Sequence, residues 1–444
     1  MRDIAILTTV FIGVIWTFRY PYVGILLWTW ITLMVPHQLA FGFARTFPIN
    51  LIVAIVTIGA WIFSKDRKLP SIDATFILLS LFLIWITING FQAVDEQWSW
   101  PLWDRTWRII TLAILISIMA TNRVRIHALI LVMVLSLFYF GVKGGLFTLI
   151  TGGHFNVVGP PNSTIGDNNQ LALAILMIIP LANYLRLQSA NPLVRQLLFA
   201  AIILCFFSVL GSYSRGGFVA LGVMTIIAVL RAKRKWLYPL VAGIVAFYAY
   251  TFMPQSYFSR ISTIRDPQAD SSFQGRLDAW HVAYAYAKDN FPFGAGFSGP
   301  ELPQVFNKYE PDKATHAAHS IFFQVLGDNG FVGLAIYLLI LVVIFWNSIV
   351  IRHKTRKIPE LSWIFDLSGM LQLTMVAFCV GGSALSFAYY DVFFIAAALS
   401  STMRVLVDER LIATRAISMN QEQLTSRIPS AGHLGSGLIS DSKY

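Results

Sequence analysis

Residues 315–334 read Thr315-His316-Ala-Ala-His319-Ser320-Ile-Phe-Phe-Gln-Val-Leu-Gly-Asp-Asn-Gly330-Phe-Val-Gly-Leu, and an apolar run follows to residue 351. The stretch passes from two histidines, through a polar Asp-Asn-Gly, into hydrocarbon-like sequence. Upstream lies a polar segment, 253–319, holding Arg260, Arg265, Arg276, His281, Glu310, Asp312, His316 and His319 between two long apolar segments. Almost everything else is apolar. Chemistry in water is therefore confined to this loop and its neighbours, beside a membrane surface, and the remaining segments hold it there.

The chain has 444 residues, 56% of them hydrophobic and only 12% charged, whereas soluble domains carry roughly a quarter charged residues. Apolar segments fall at 4–18, 22–36, 49–64, 72–90, 106–120, 126–150, 170–186, 197–212, 217–231, 236–253, 331–351, 367–386 and 390–406. A bilayer crossing needs roughly 17–25 such residues, so the shorter segments imply tilted or partly re-entrant helices. The expected fold is all-α, a polytopic integral membrane protein with about 12–13 transmembrane helices and one large, partly helical outer loop.

The net charge of +11 does not point to nucleic acid, because the basic residues sit in short clusters between spans. These are Lys65-Asp-Arg67-Lys68, Arg123 with Arg125, Arg186 with Arg195, Arg231-Ala-Lys233-Arg234-Lys235, and Arg352-His-Lys354-Thr-Arg356-Lys357. Each lies two spans after the last, so all fall on one side, the cytoplasm. The same parity puts 93–103, 151–170, 211–217, 253–330 and 387–391 outside. Cys205 and Cys379 lie inside apolar segments and are packing residues, indicating neither a disulfide nor a metal site. The first apolar segment has no small-residue cleavage site after it and is taken as retained. Residues 412–444, rich in Ser and Gly, read as a disordered cytoplasmic tail.

Arg215 lies in Gly211-Ser-Tyr-Ser-Arg215-Gly-Gly217, a break between two spans on the outer side. It is either a snorkelling arginine at a helix end or an anion site, since a guanidinium binds phosphate in a fork. Arg276 precedes Trp280 by one helical turn, so the two share a face; Trp280 could anchor a loop helix at the interface. Arg215 and Arg276 on one side, with Arg260 and Arg265 near by, point towards a polyanionic head group. His316 and His319 would share a face if helical, with Thr315 as a cap. A histidine there is suited to take a proton near neutral pH, and no third ligand at zinc spacing accompanies the pair. The loop 158–170, with Asn162, Asp167, Asn168 and Asn169, reads either as a turn before a capped helix or as a surface for sugar hydroxyls. Tyr309-Glu310-Pro-Asp312 reads as a turn.

These pieces resemble the O-antigen ligase superfamily, which comprises lipopolysaccharide O-antigen ligases, O-antigen polymerases and protein O-oligosaccharyltransferases. The resemblance rests on Ser214-Arg215-Gly216-Gly217, Gly275-Arg276-Leu277 with Trp280, Asn290-Phe-Pro292-Phe-Gly294-Ala-Gly296, Ala318-His319, Leu326-Gly327 and Gly330-Phe-Val-Gly333. The front part is similar to the amino-terminal domain of O-glycosylation ligases found with exosortase systems. It carries Arg2-Asp3, Leu27-Trp28-Thr29-Trp30, Pro36-His37, Gly141-Val-Lys143-Gly144-Gly145, Thr151-Gly-Gly153, Gly159-Pro-Pro161 and Asp167-Asn168-Asn169. The organisation expected is an amino-terminal transmembrane domain over 1–190, a ligase-like domain over 191–411 that includes the loop 254–330, and the tail.

The resemblance implies a glycosyltransferase in a bacterial inner membrane, with its active site facing the periplasm. It would move a glycan from an undecaprenyl-diphosphate carrier to an acceptor hydroxyl on a lipid, a protein or a growing glycan. Arg215 and Arg276 would bind the diphosphate and His319 would assist the acceptor hydroxyl, with His316, Asn168, Asn169, Arg265 and Trp280 as further substrate contacts. Many members carry Asn after the histidine, where this chain has Ser320, which leaves the acceptor class open. Neither a metal nor another cofactor is expected. A lipid diphosphate is already a good leaving group, arginines neutralise the charge that develops on it, and one base then gives a single displacement with inversion. A polymerase extending lipid-linked repeats would use the same residues. A polysaccharide or lipid transporter would instead show charged or broken helices near mid-membrane.

Overall fold

The computed structural model describes residues 2–65, 67, 70–230, 243, 247 and 271–427. The apolar segment 236–253 apart from residues 243 and 247, the basic cluster 231–235, Lys68, Arg260 and Arg265 lie outside them, as do residues 428–444 of the tail. Every regular element among the described residues is helical: α1 (Arg2–Arg19), α2 (Pro21–Met34), α3 (Ile49–Ile62), α4 (Ala74–Gly90), α5 (Glu96–Met119), α6 (Arg123–Ile150), α7 (Asn168–Gln188), α8 (Pro192–Gly211), α9 (Arg215–Leu230), α10 (Ser271–Asp289), α11 (Pro303–Tyr309), α12 (Ile321–Thr355), α13 (Ser362–Gly382) and α14 (Asp391–Arg427). Every apolar segment expected within the described residues coincides with one of these helices. Five of the helices are long and apolar enough to cross a membrane, and α2, α3, α4 and α9 are shorter and equally apolar. The chain is an all-α polytopic membrane protein.

The helix starts follow from local chemistry. Asp73, Asp95, Asn122, Asp167 and Asn191 each accept a main-chain N–H of the following turn, meeting donors that a helix leaves unpaired at its start. Side chains and main chain then tie the helices together at two ends. At one end Tyr22 Oη donates to the Arg125 carbonyl at 2.6 Å, Arg123 to Gln188 at 3.0 Å, and Gln188 to Asp366 at 3.2 Å. At the other, Val94 N–H donates to the Ala295 carbonyl at 3.0 Å, Val157 N–H to Gly211 at 2.9 Å and Thr32 to Asp391 at 2.9 Å. The basic clusters around 123–125 and 352–356 belong to the first end; the loops expected outside belong to the second.

In lipid, helices associate through close packing and hydrogen bonds more than through apolar burial. Gly141, Gly144 and Gly145 accordingly face Cys205, Ser208 and the Leu204 main chain of α8, where a Cβ on Gly145 would strike the Leu204 carbonyl. Helix α12 packs on α4, α10, α13 and α14, and Tyr337 of α12 meets Phe393 of α14 with ring centroids 4.7 Å apart.

Three expectations are corrected. Residues 96–103, expected as loop, form the first turns of α5, which tolerates Pro101 near its start. The apolar run from 331 continues a helix that begins at Ile321, and the two parts join across a break at Gly330, with φ 68° and ψ −173°. The tail is helical through Arg427, because residues 411–424 are mostly good helix formers and Pro429 is the first strong breaker beyond them.

Candidate active site

Arg215 opens α9 after a tight turn. Tyr213 adopts φ 55° and donates its hydroxyl to the Gly153 carbonyl. Ser214 Oγ accepts from Gly217 N–H at 3.0 Å. The turn is also held from α7, where Asn168 Nδ2 donates to the Ser212 carbonyl at 2.7 Å. Asp167 caps α7 and Asn169 Nδ2 donates back to it at 3.0 Å. Of the two readings of the 158–170 loop, the turn before a capped helix is thus present. Its two asparagines still face a cavity of about 490 Å³ that Arg215, Arg276 and Phe273 also line. Arg215 and Arg276 come from helices far apart in sequence and share this one recess.

Helix α10 carries Arg276 and fastens the loop that follows it. Lys313 Nζ lies 2.6 Å from Asp278 and 2.7 Å from Glu310, and His281 Nδ1 lies 2.6 Å from Glu310. The hydrogen bond from Lys313, with a further one from His281, holds the Glu310 carboxyl below the usual carboxylate range. Glu310 is therefore occupied as a tether. Gly275 admits the His316 imidazole, since a Cβ there would stand 2.7 Å from Cδ2 of that ring. Trp280 faces inward: its indole stacks on Phe323 at 4.8 Å with an interplanar angle of 5°, and Nε1 donates to the Ala318 carbonyl at 2.6 Å. Trp280 positions the residue before His319.

The condition under which His316 and His319 would share a face, a helix, is not met. Residues 313–319 are extended or irregular, His319 has φ 43°, and α12 starts only at Ile321. Thr315 caps no helix, and the two histidines do not share a helical face. The cause is tertiary: Trp280 holds the Ala318 carbonyl, and the His319 N–H donates to Ser386 Oγ at 2.9 Å. His316 instead lines a separate recess of about 520 Å³ with Glu301 and Trp98, where burial raises the Glu301 carboxyl above its ordinary range. Burial also holds the half-buried His319 imidazole below the usual histidine range. Arg276 pushes it the same way, Asp167 opposes, and His316 adds a smaller downward push. Arg276 and His319 thus share one electrostatic neighbourhood.

The segment Asn290–Gly296 supports the break in α12. Ala295 N–H donates to the Gly327 carbonyl at 2.8 Å and Gly296 N–H to Asp328 at 3.0 Å. Asn89 joins both sides, accepting from Gly294 N–H and donating to the Asp328 carbonyl. Asp328 Oδ1 accepts from Ser298 N–H and Oδ2 from the Tyr389 hydroxyl, each at 2.9 Å. This part of the sequence signature is architecture.

A larger cavity of about 710 Å³ lies on the other side of the 383–389 loop. Residues 383–385 line the arginine recess, whereas Ser386, Phe387, Ala388 and Tyr389 line the larger cavity. His37, Arg45, Asn50, Asp104, Arg105, Arg108 and Gln170 complete much of its polar wall. Sequence reasoning gave none of the α5 charges a role. Their signal is Trp103-Asp104-Arg105-Thr-Trp107-Arg108, three ionisable residues just before the apolar run of α5.

Residues 200–338 match the family model described as O-antigen ligase, and residues 1–190 match that of a family of unknown function, DUF5935. Comparison with curated proteins returned no match. Arg215, Arg276 and His319 all lie inside the stretch that matches the O-antigen ligase model.

Proposed function

We propose that the protein transfers a glycan from an undecaprenyl-diphosphate carrier to an acceptor hydroxyl, on the periplasmic face of a bacterial inner membrane. The observation that carries this reading is the single recess lined by Arg215 and Arg276, with the Arg276 charge also acting on His319. Two guanidiniums match the several oxygens of a diphosphate. Neutral His319 accepts the proton of the acceptor hydroxyl as its oxygen attacks the anomeric carbon. The bond from that carbon to the diphosphate oxygen breaks, and undecaprenyl diphosphate leaves with the electron pair. Attack opposite the leaving group inverts the anomeric centre. Arginine charge stabilises the departing diphosphate where negative charge grows. Asn168 and Asn169, on the same wall, would meet donor sugar hydroxyls. The side assignment rests on the basic clusters at the opposite end of the bundle.

A transporter reading draws on the broken helix α12 and its buried Asp328. That break is filled: main chain from 294–296 bonds both Gly327 and Asp328, and the carboxylate has two donors. This is a packed joint, which favours transferase over transporter.

The test is His319→Asn in the native host, because asparagine tolerates a left-handed φ better than alanine and cannot act as the base. The expected result is loss of glycan product with accumulation of lipid-linked donor at normal membrane levels of the protein. Full product formation would remove His319 from the chemistry.

A further inference from the structure

The recess that His316 lines shares no lining residue with the arginine recess. It joins the first turns of α5, through Gln97 and Trp98, to Glu301 and to the extended segment at Thr315 and His316. Glu301 ends a short helical turn, Gly299–Glu301, whose start is fixed where Ser298 adopts φ 55° and donates its N–H to Asp328. Its side chain lines the recess and is only partly buried, and it makes no hydrogen bond or ion pair with any described residue. Burial raises its carboxyl and no neighbouring cation pulls it back, although charge withdrawn from water is ordinarily paired. Glu310 on the same loop is by contrast taken up by Lys313 and His281. No lysine or arginine is among the described residues that line the recess, in a chain of net charge +11. Its polar side chains can all accept: the Glu301 carboxylate, the Gln97 amide oxygen, the Thr315 hydroxyl and the unprotonated imidazole nitrogen of His316. Trp98 is 61% exposed, so its indole face is open to a ligand.

These features choose between ligands. A phosphate or carboxylate would be repelled by Glu301 and would find no cation. A divalent metal takes six or more oxygens, which one carboxylate does not supply. A hydroxyl would bond Glu301 and leave its charge uncompensated. A protonated amine donates up to three hydrogen bonds, neutralises the carboxylate and is attracted to an indole face. The volume, about 520 Å³, is that of a small-ligand pocket and more than an amine alone fills. Trp98, Pro101 and Leu102 give it an apolar wall on which a sugar ring can pack. An ethanolamine lipid would bring its own phosphate against the carboxylate.

We infer that this recess binds a protonated amino group of a saccharide, and that in the transfer proposed above this saccharide is the acceptor. The term acceptor rests on the transferase reading, whereas the ammonium site stands on the recess itself. His316 and His319 are three residues apart, so their Cα atoms are separated by at most about 11 Å. A saccharide anchored by its amine beside His316 therefore brings a hydroxyl of the same or the next sugar to His319. The diphosphate meanwhile occupies the separately lined arginine recess. Negative charge is met by guanidiniums at one recess and positive charge by Glu301 at the other.

The experiment uses the full chain in nanodiscs of phosphatidylglycerol, which carries no amine. The probes are the glucosamine disaccharide of chitosan and its N-acetylated counterpart, which share a skeleton and differ in the cationic amines. Binding is read at neutral pH by saturation-transfer NMR, with the signal from empty nanodiscs subtracted. Wild type is expected to bind the amine form at least about tenfold more tightly than the acetylated form, one decade in Kd. Glu301→Gln, checked for an unchanged melting temperature, should lose that preference. Trp98→Ala, at an exposed position, should weaken binding of the amine form by about two- to fivefold. Equal binding of the two probes by wild type, a preference kept by folded Glu301→Gln, full-strength binding by Trp98→Ala, or no binding of either probe would overturn the inference. So would displacement of the amine probe when phosphatidylethanolamine is added to the nanodiscs, which would make the occupant a lipid headgroup. The transferase reading is judged separately, by glycan product from His319→Asn. Full product from that variant removes the term acceptor and leaves the ammonium site to be decided by Glu301→Gln.

Discussion

The main-chain N–H of His319 donates to Ser386 Oγ at 2.9 Å, joining the start of α12 to the loop between α13 and α14. Ser386 stands where that loop turns from the arginine recess to the larger cavity. His319 adopts φ 43°, a conformation that costs a non-glycine residue free energy and persists only where surrounding contacts impose it. Ser386 imposes it from one side and the Trp280 bond to the Ala318 carbonyl from the other. The reacting imidazole in the proposed mechanism is therefore set by two hydrogen bonds to main chain.

Ser386→Ala removes one of these. The cost to stability is about 1 kcal/mol, the net worth of one hydrogen bond, so the protein should still accumulate. Misplacing a catalytic group by a fraction of an ångström costs more in rate, and kcat is expected to fall between about tenfold and a hundredfold. The donor KM should not move, and Ser386→Thr, which keeps the oxygen, should restore most of the rate. An unchanged kcat in the alanine variant would mean that the bond does not position His319.

The pH profile separates the charges around His319. The base must be neutral, so activity rises as pH passes upward through its pKa. Burial and Arg276 hold that pKa below the ordinary histidine range, and Asp167 opposes them. The acidic limb of kcat in wild type is accordingly expected below about 6.5, the ordinary imidazole value. Arg276→Gln removes a repelling positive charge, raises the His319 pKa and moves the limb to higher pH. Asp167→Asn removes an attracting negative charge and moves it lower, while asparagine still caps α7. Shifts in the same direction for both variants would exclude His319 as the titrating group.

Trp280 contributes stacking on Phe323 and one hydrogen bond, and two substitutions divide them. Trp280→Phe keeps most of the stacking and leaves the Ala318 carbonyl without its donor. It should lower kcat with little change in expression. Trp280→Ala loses both and, as a large-to-small change in a packed site, should destabilise by about 3–5 kcal/mol. Equal loss of protein in the two variants, measured by immunoblot of membranes, would assign Trp280 to folding alone.

Much of this arrangement is readable in the residues, and the unreadable part has one cause. Apolar runs and basic clusters are local signals, so the helices and the end that collects Arg123, Arg125 and Arg352 follow from the sequence. Arg215 and Arg276 were visible because glycines and small polar residues flank them. The environment of His319 was not, because spacing alone makes His316 and His319 helical neighbours. Trp280 and Ser386, 39 residues before and 67 after His319 by their numbers, pull it out of the helix. The larger cavity was hidden for the same reason. Its walls come from 31–51, 102–109, 162–170, 297–298, 324–328 and 386–389, which are scattered along the sequence.

Gly330 tests whether the break in α12 is required. Its φ of 68° and ψ of −173° fall in a region essentially open to glycine alone, worth about 1–3 kcal/mol against any other residue. A Cβ there would also meet the Pro292 carbonyl oxygen and the Phe293 main chain, which are backbone and cannot rotate away. To admit it, α12 would have to straighten, and a straight helix would withdraw Gly327 and Asp328 from their bonds to Ala295 and Gly296. Gly330→Ala is therefore expected to lower the apparent Tm by several degrees and to reduce the folded fraction, as read by size-exclusion chromatography with a fluorescent fusion. Any folded protein should retain undecaprenyl diphosphate binding, because Arg215 and Arg276 are on other helices. A variant that melts like wild type would show that the joint can be closed without glycine, and the packing of 292–296 against it would then be a consequence of the bend instead of its support.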